Sequence, residues 1–260
     1  MNVWPRPVQK PHPPVWIPGG GSIETWHWCA ESDYVYSYLS YFGYKQGRAT
    51  MKGYWQELAR LGVEPNPYRG GFLQFVGVAD SREEALELYR EPAEYFYGRC
   101  LHVDPRFATA PGYMSEASLR ARVQSQVARA AAQSREGAAR GGPRIEEIVE
   151  QGFVIIGSPD EVADQLREVA TELNVGHLML LLQFGNMSRE LAMHNTELFA
   201  KRVMPQLAGL FDDRWENRWW PRPVAVADRA RPREQGGRRS RPTRSAPQAS
   251  EGGLLRREGP

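Results

Sequence analysis

Residues 153–185 read FVIIGSPDEVADQLREVATELNVGHLMLLLQFG, and this stretch decides the fold class. Residues 153–156 form a short apolar run of strand type, and Gly157 turns the chain. Ser158 stands where a helix N-cap belongs, Pro159 takes the first helical position, and Glu161 completes a capping box three residues after the serine. Val162, Leu166, Val169 and Leu173 then repeat at helical spacing and make one apolar face. From residue 176 to 185 the chain is a near-continuous apolar run, the pattern of a strand covered on both sides in a parallel sheet. Strand, helix and strand in that order form one βαβ unit.

The same alternation extends toward the N-terminus. Five prolines fall within the first fourteen residues, so the chain opens extended, and residues 15–17 read as a short buried strand. Ser22 caps a helix running to about residue 32. Residues 34–42, YVYSYLSYF, suit a strand, and Met51, Tyr54, Trp55, Leu58 and Leu61 mark a helix over about 45–61. FLQFVGVA at 72–79 is a further strand, followed from Ser81 by a helix that Pro92 is expected to break or kink. Residues 98–144 carry only a thin apolar stripe and read as a surface insertion. A last helix starts at Ser188 and carries Leu191, Leu198, Phe199 and Val203 toward Pro205. The pattern is strand–helix four times plus an insertion, which implies right-handed crossovers and a parallel sheet.

Composition bounds the function. The chain has 260 residues, 41% hydrophobic, enough for one substantial core. Its net charge of +2 is uneven: residues 221–260 hold ten arginines and four acids, so this tail carries +6 and the first 220 residues −4. The tail is rich in arginine, proline, glycine and serine, cannot support a core, and is expected to be disordered. It lacks interleaved aromatic residues for stacking bases, which argues against nucleic acid as a partner. Cys29 and Cys100 have no metal-like spacing and read as reduced thiols. No apolar run approaches the ~20 residues that span a bilayer, and no secretion signal is recognisable, so a cytoplasmic location is expected.

Between the first strand and helix lies WIPGGGSIET, residues 16–25. Gly19, Gly20, Gly21 and Ser22 have two readings: a turn needing only flexibility, or a cradle for an anion at a helix N-terminus. Free N–H groups and a dipole of about half a positive charge favour an anion there, and glycine lets the backbone approach it. Gly157-Ser158 is a second such turn, but the Ser158–Glu161 capping box accounts for it.

The segments KPHPPVWIPGGGSIETWHWCA, VIIGSPDEVADQL and HLMLLLQFGNMSRELAMHNTELFAKRVMPQL resemble the bacterial luciferase-like flavin-dependent monooxygenase family over about residues 4–210, the last being the most specific. The resemblance implies an α/β fold of (β/α)8 TIM-barrel type, with flavin at the C-terminal mouth. The strands near 15, 34, 72 and 177 match the fifth to eighth of that barrel, so the chain is expected to be its C-terminal half. Residues 1–220 then form a partial barrel domain with an insertion at about 98–144, followed by the tail at 221–260. The first four strands, which supply other flavin contacts and often a catalytic histidine, have no counterpart.

By the same resemblance the flavin phosphate falls on Gly20, Gly21, Ser22 and Thr25. The cofactor is FMN, with the deazaflavin F420 as the alternative. Reduced flavin, often supplied by a separate reductase, and dioxygen would oxidise a small organic substrate. Gln183 ends the last strand at the face where barrels place their sites; it either faces flavin or substrate, or marks the end of burial. Tyr34, Tyr36 and Tyr38 share one strand face, and Tyr36 and Tyr38 are candidates to line the substrate pocket, with ordinary packing as the other reading. None of the five histidines has a metal-like neighbour, so no catalytic base and no metal is assigned. The competing function is a non-catalytic fragment, or one half of a split barrel that needs a partner chain or self-association.

Overall fold

A computed structural model describes residues 7, 9, 12–39, 41–101, 115–116, 119–120, 124 and 142–220. The expected tail at 221–260 and most of the expected insertion lie outside the described residues. Five strands form one sheet: β1 (Trp16–Gly19), β2 (Val35–Tyr38), β3 (Gly70–Val78), β4 (Val154–Gly157) and β5 (His177–Leu181). Every pairing is parallel: β1 with β2, β2 with β3, and β3 with both β4 and β5.

The registers fix the layout. Phe72 pairs with both Tyr38 and Leu178, and Phe75 with both Val154 and Leu181. A residue has only two edges, so β2 and β4 share one edge of β3, one after the other, and β5 takes the opposite edge. β1 and β5 each pair with a single strand among the described residues. As an edge strand, β5 is only half-buried beyond His177, not covered throughout as its apolar run suggests.

One face of the sheet is covered by α1 (Ile23–Glu31), α2 (Gly43–Arg60) and α5 (Pro159–Leu173). Trp26, Cys29, Tyr36, Met51, Tyr54, Phe72, Val76, Val162 and Leu166 pack there as one core. Met51, Tyr54 and Leu58 fall on one side of α2 because three- and four-residue spacings return to the same face. Burial in this core pushes the Cys29 thiol up to about 11. The opposite face, beside the C-terminal half of β3, is covered by α3 (Arg82–Tyr95) and α4 (Ile145–Glu150) through Ala85, Tyr89, Ala93, Ile145 and Ile148. The layout explains the change of side. The chain returns from β3 toward the β2 edge to reach β4, and a right-handed connection in that direction carries its helix across the other face.

Two sequence expectations are corrected, the first only in its alternative of a break. Pro92 does not end its helix: α3 continues to Tyr95, and the backbone widens into a π-helical turn only at Phe96–Cys100. Pro92 and Ala93 are buried, and the Pro92 carbonyl lies against Gly185, so packing outweighs the missing hydrogen bond. The strand expected over 34–42 stops at Tyr38, and the next helix starts at Gly43 rather than Lys45. Gly43 has φ +66°, and a Cβ there would stand 1.8 Å from the Gly152 carbonyl oxygen. Only glycine permits that approach, and the approach of the β4 lead-in diverts the chain into α2 early.

Two further contacts shape the sheet. Asn195, on α6 (Arg189–Leu198), is fully buried. Its amide donates to the Val76 and Leu182 carbonyls at 2.8 Å each, and its carbonyl accepts from the Val78 N–H at 2.9 Å. It ties β3 to the end of β5. The Trp16 and His177 rings meet at 4.4 Å, although their strands lie three steps apart, about 14 Å in a flat sheet. The sheet is therefore curled, and both rings stand on its concave face.

The strand N-termini are closed off by residues 209–220, which follow α7 (Met204–Leu207). Tyr68 donates to Asp212 and Asn66 to the Glu216 carbonyl, while the Trp219 indole donates to the Asp33 carbonyl. Arg69 and Arg218 flank the Trp219 ring and both reach the Asp33 carboxylate, at 2.7 and 2.8 Å.

Candidate functional site

The C-terminal ends of parallel strands all open toward one end of the sheet, where the chain must turn and backbone groups are left unpaired. At the end of β1 the turn is made by Gly20, Gly21 and Ser22. Gly21 has φ +106°, outside the range of ordinary side chains, and a Cβ there would stand 3.2 Å from the Thr50 methyl. A Cβ on Gly20 would meet nothing within 4 Å. Open space in front of Gly20 and a glycine-only conformation at Gly21 leave the backbone accessible at this turn.

Ser22 is the N-cap of α1, and its carbonyl accepts from the Trp26 N–H at 3.2 Å. Its side chain makes no capping bond. The hydroxyl donates instead to the Glu24 carboxylate at 2.6 Å. The other glycine turn provides an internal comparison. There Ser158 accepts from the Glu161 N–H, and the Glu161 carboxylate accepts from the Ser158 N–H at 2.9 Å, so that helix start is closed by its own residues. The α1 start lacks such a closure. Glu24 works against an anion, because its carboxylate holds the Ser22 hydroxyl and puts negative charge in the first turn.

Tyr36 is wholly buried and stacks on Tyr54 at 4.9 Å on the helix-covered face. Its hydroxyl donates to the Gly19 carbonyl at 3.3 Å. Burial pushes its phenol far above the ordinary range, outweighing the Trp26 side chain and the Gly21 N–H, which act the other way. Tyr36 therefore stays a protonated donor that holds the turn from beneath. It has no exposed surface and supports the turn. Tyr38 is half-buried on the same face and packs on Phe72 at 5.7 Å. Gln183 is exposed two residues beyond β5, on the opposite margin of the sheet from the glycine turn. The structure thus brings Gly20, Gly21, Ser22 and Thr25 into one turn and leaves Gln183 three strands away.

Thr50, on α2, was not legible in the sequence as a neighbour of this turn, because it arrives through helix packing across twenty-nine residues. His27 pairs with Glu57 on the outer surface of α1 and α2, and Arg60 joins them at 2.6 Å. The hydrogen bonds from Arg60 and then His27 hold the Glu57 carboxyl down at about 2. Among the described residues no group of three or more His, Cys, Asp or Glu stands close enough to hold a metal. No helix among them is long and apolar enough to cross a membrane.

With a parallel α/β sheet and a glycine turn at its C-terminal end established, comparison with known proteins identifies the family. Residues 1–175 match the luciferase-like monooxygenase family, and the chain belongs to it. No curated protein matches the chain. Among solved structures, monooxygenase RslO1 from Streptomyces bottropensis is 17% identical, with 79% of this chain aligned to 51% of that one and a TM-score of 0.48. The oxygenating constituent of 3,6-diketocamphane monooxygenase from Pseudomonas putida, solved with FMN, is 18% identical over 74% of this chain and 48% of that one, TM-score 0.47. The coenzyme F420 dependent tetrahydromethanopterin reductase from Methanopyrus kandleri is 14% identical over 75% and 51%, TM-score 0.46. The chain spans about half the length of each.

Proposed function

We propose that this chain supplies strands five to eight of a luciferase-like flavin monooxygenase barrel, and that its turn at residues 19–25 holds the flavin phosphate. One observation carries the reading: in a member of this family, the N-terminus of α1 is built on glycine, is not capped by Ser22, and stands at the C-terminal end of a parallel strand. In this arrangement β1, β2, β3 and β5 are the fifth to eighth barrel strands, and β4 is an addition beside the upper half of β3.

The residues present fit a phosphate group. Gly20 and Gly21 give it close approach, Ser22 and Thr25 offer hydroxyls from the first helical turn, and the helix dipole favours its charge. Thr50 borders the same space. One feature opposes the fit: the Ser22 hydroxyl must leave Glu24 to reach a phosphate. FMN is the proposed cofactor, with F420 as the alternative. Reduced flavin, when bound, supplies the electrons with which dioxygen oxidises a small organic substrate, and a separate reductase is the proposed source of that flavin. The chain's own contribution is to bind and orient the cofactor. Gln183 is kept as a polar group facing flavin or substrate, and no residue of this chain is assigned a catalytic role.

Replacing Ser22 and Thr25 together with alanine tests the reading. Hydrogen bonds to a charged group are worth about 1.5–3 kcal/mol each, so FMN affinity should fall tenfold or more. Unchanged affinity would move the site elsewhere.

A second reading is favoured by the outer edges of β1 and β5, which pair with no strand among the described residues. A closed barrel pairs both edges of every strand, so the chain acts as one half of a split barrel, completed by a partner chain or by a second copy, and is not catalytic alone.

A further inference from the structure

Residues 209–220 cross the N-terminal ends of the strands, and they pack shallowly. Of these residues only Trp219 is buried. What they cover lies deep. Trp219 closes on Val35 and Tyr68, and Trp220, itself 58% exposed, stacks on the His177 ring at 5.9 Å. Val35, Tyr68 and His177 are all buried. A segment held by so little buried surface opens at a lower free-energy cost than the sheet beneath it. Its position therefore depends on its polar anchors.

The anchors at its end converge on Asp33. The Asp33 carbonyl accepts from the Trp219 indole N–H at 2.8 Å. The carboxylate accepts from Arg218 of the segment at 2.8 Å and from Arg69, beside β3, at 2.7 Å. Both guanidinium groups lie over the Trp219 ring, Arg218 at 4.3 Å and Arg69 at 5.0 Å. Asp33 is locally a poor choice for its position. It follows Ser32, the C-cap of α1, and has φ +57°, where a helix end favours glycine. Its charge also stands at the negative end of the α1 dipole. Helix α1 alone would be better served by glycine or asparagine there, so the carboxylate is accounted for by the arginines it holds and not by the helix it ends.

We propose that residues 209–220 form a strap with the Asp33 carboxylate as its latch. Tyr68 and Asn66 hold the middle of the strap, through Asp212 and the Glu216 carbonyl. Release of the latch frees the end that carries Trp219 and Trp220. Closed, the strap seals Val35, Tyr68 and the His177 ring; open, it admits solvent and solutes to them from the strand N-termini. The device lies at the opposite end of the sheet from the glycine turn and does not depend on the flavin reading.

The test is hydrogen exchange of the full chain at pH 7.5, read by mass spectrometry for the parent, Arg218→Gln and Asp33→Asn. Arg218→Gln removes the strap's own charge and leaves the Arg69–Asp33 pair in place. Asp33→Asn keeps a residue tolerated at positive φ and removes the carboxylate from both arginines. Peptides within 209–220 should exchange about threefold faster in Arg218→Gln and about tenfold faster in Asp33→Asn, with β3 peptides unchanged. Acylation by diethylpyrocarbonate, which attacks neutral imidazole, gives a second readout. His177 should react faster in both variants, while the exposed His194 reacts as in the parent. Unchanged exchange of the strap in both variants would overturn the latch, as would faster exchange spread equally over β3. A strap that opens with no change at His177 would overturn its role as a cover. If Asp33→Asn fails to fold, Arg218→Gln decides the question alone.

Discussion

Replacing His177 with phenylalanine should make the protein less sensitive to mild acid. The ring is packed between Trp16, Tyr68 and Trp220, and burial holds its folded-state pKa near 4 against an ordinary 6.5. Between those values the unfolded chain binds a proton that the folded chain refuses. Stability from this group is therefore present above about pH 6.5 and is lost as pH falls from there toward 4. At about 1.4 kcal/mol per pH unit the whole difference amounts to about 3 kcal/mol, of which about 2 kcal/mol disappears between pH 7 and pH 5. The assay is urea denaturation followed by tryptophan fluorescence at both pH values, for parent and variant. Phenylalanine fills most of the same space, and every other histidine is common to both proteins. The parent should lose about 2 kcal/mol more than the variant over this interval. Equal losses would refute the reasoning and would mean that water reaches the ring freely.

Replacing Glu24 with glutamine should tighten FMN binding severalfold, because it removes a negative charge from the first turn of α1 and loosens its hold on the Ser22 hydroxyl. A weaker complex in parallel titrations would show that Glu24 orients Ser22 for the phosphate instead of competing with it. The chain purified at micromolar concentration should self-associate by light scattering and should not accelerate oxygen consumption by reduced flavin, because the outer edges of β1 and β5 pair with no strand among the described residues. A stable monomer that turns over reduced flavin and substrate would contradict the split-barrel reading.

The alternation of strand and helix was legible because each element carries its own period and its own punctuation. Ser158, Pro159 and Glu161 specify a helix start with no help from distant residues, and the structure has that capping box. Which face of a strand meets the helices was not legible. A period of two groups Tyr34, Tyr36 and Tyr38, but only packing against α1 and α2 shows that their side is the covered one. Pro92 misled for the same reason: a local rule against helical proline was outweighed by burial against Gly185. The sharing of one β3 edge by β2 and β4 depends on long-range register, which no local pattern encodes. The closing segment at 209–220 was missed because its anchors, Asp33, Asn66 and Tyr68, lie far away in sequence. At the candidate site the glycines and Ser22 stood out by residue type, whereas the contest between Glu24 and a phosphate for Ser22 depends on a side-chain orientation.

The central claim is that the turn at residues 19–25 recognises a phosphate, and the most direct measurement compares two ligands that differ only in that group. FMN and riboflavin should be titrated into the same preparation of the chain, with binding read by quenching of flavin fluorescence. Because the donors at the α1 N-terminus act on the phosphate alone, FMN should bind at least about tenfold more tightly than riboflavin. Equal affinities, or no binding of either flavin, would contradict the account.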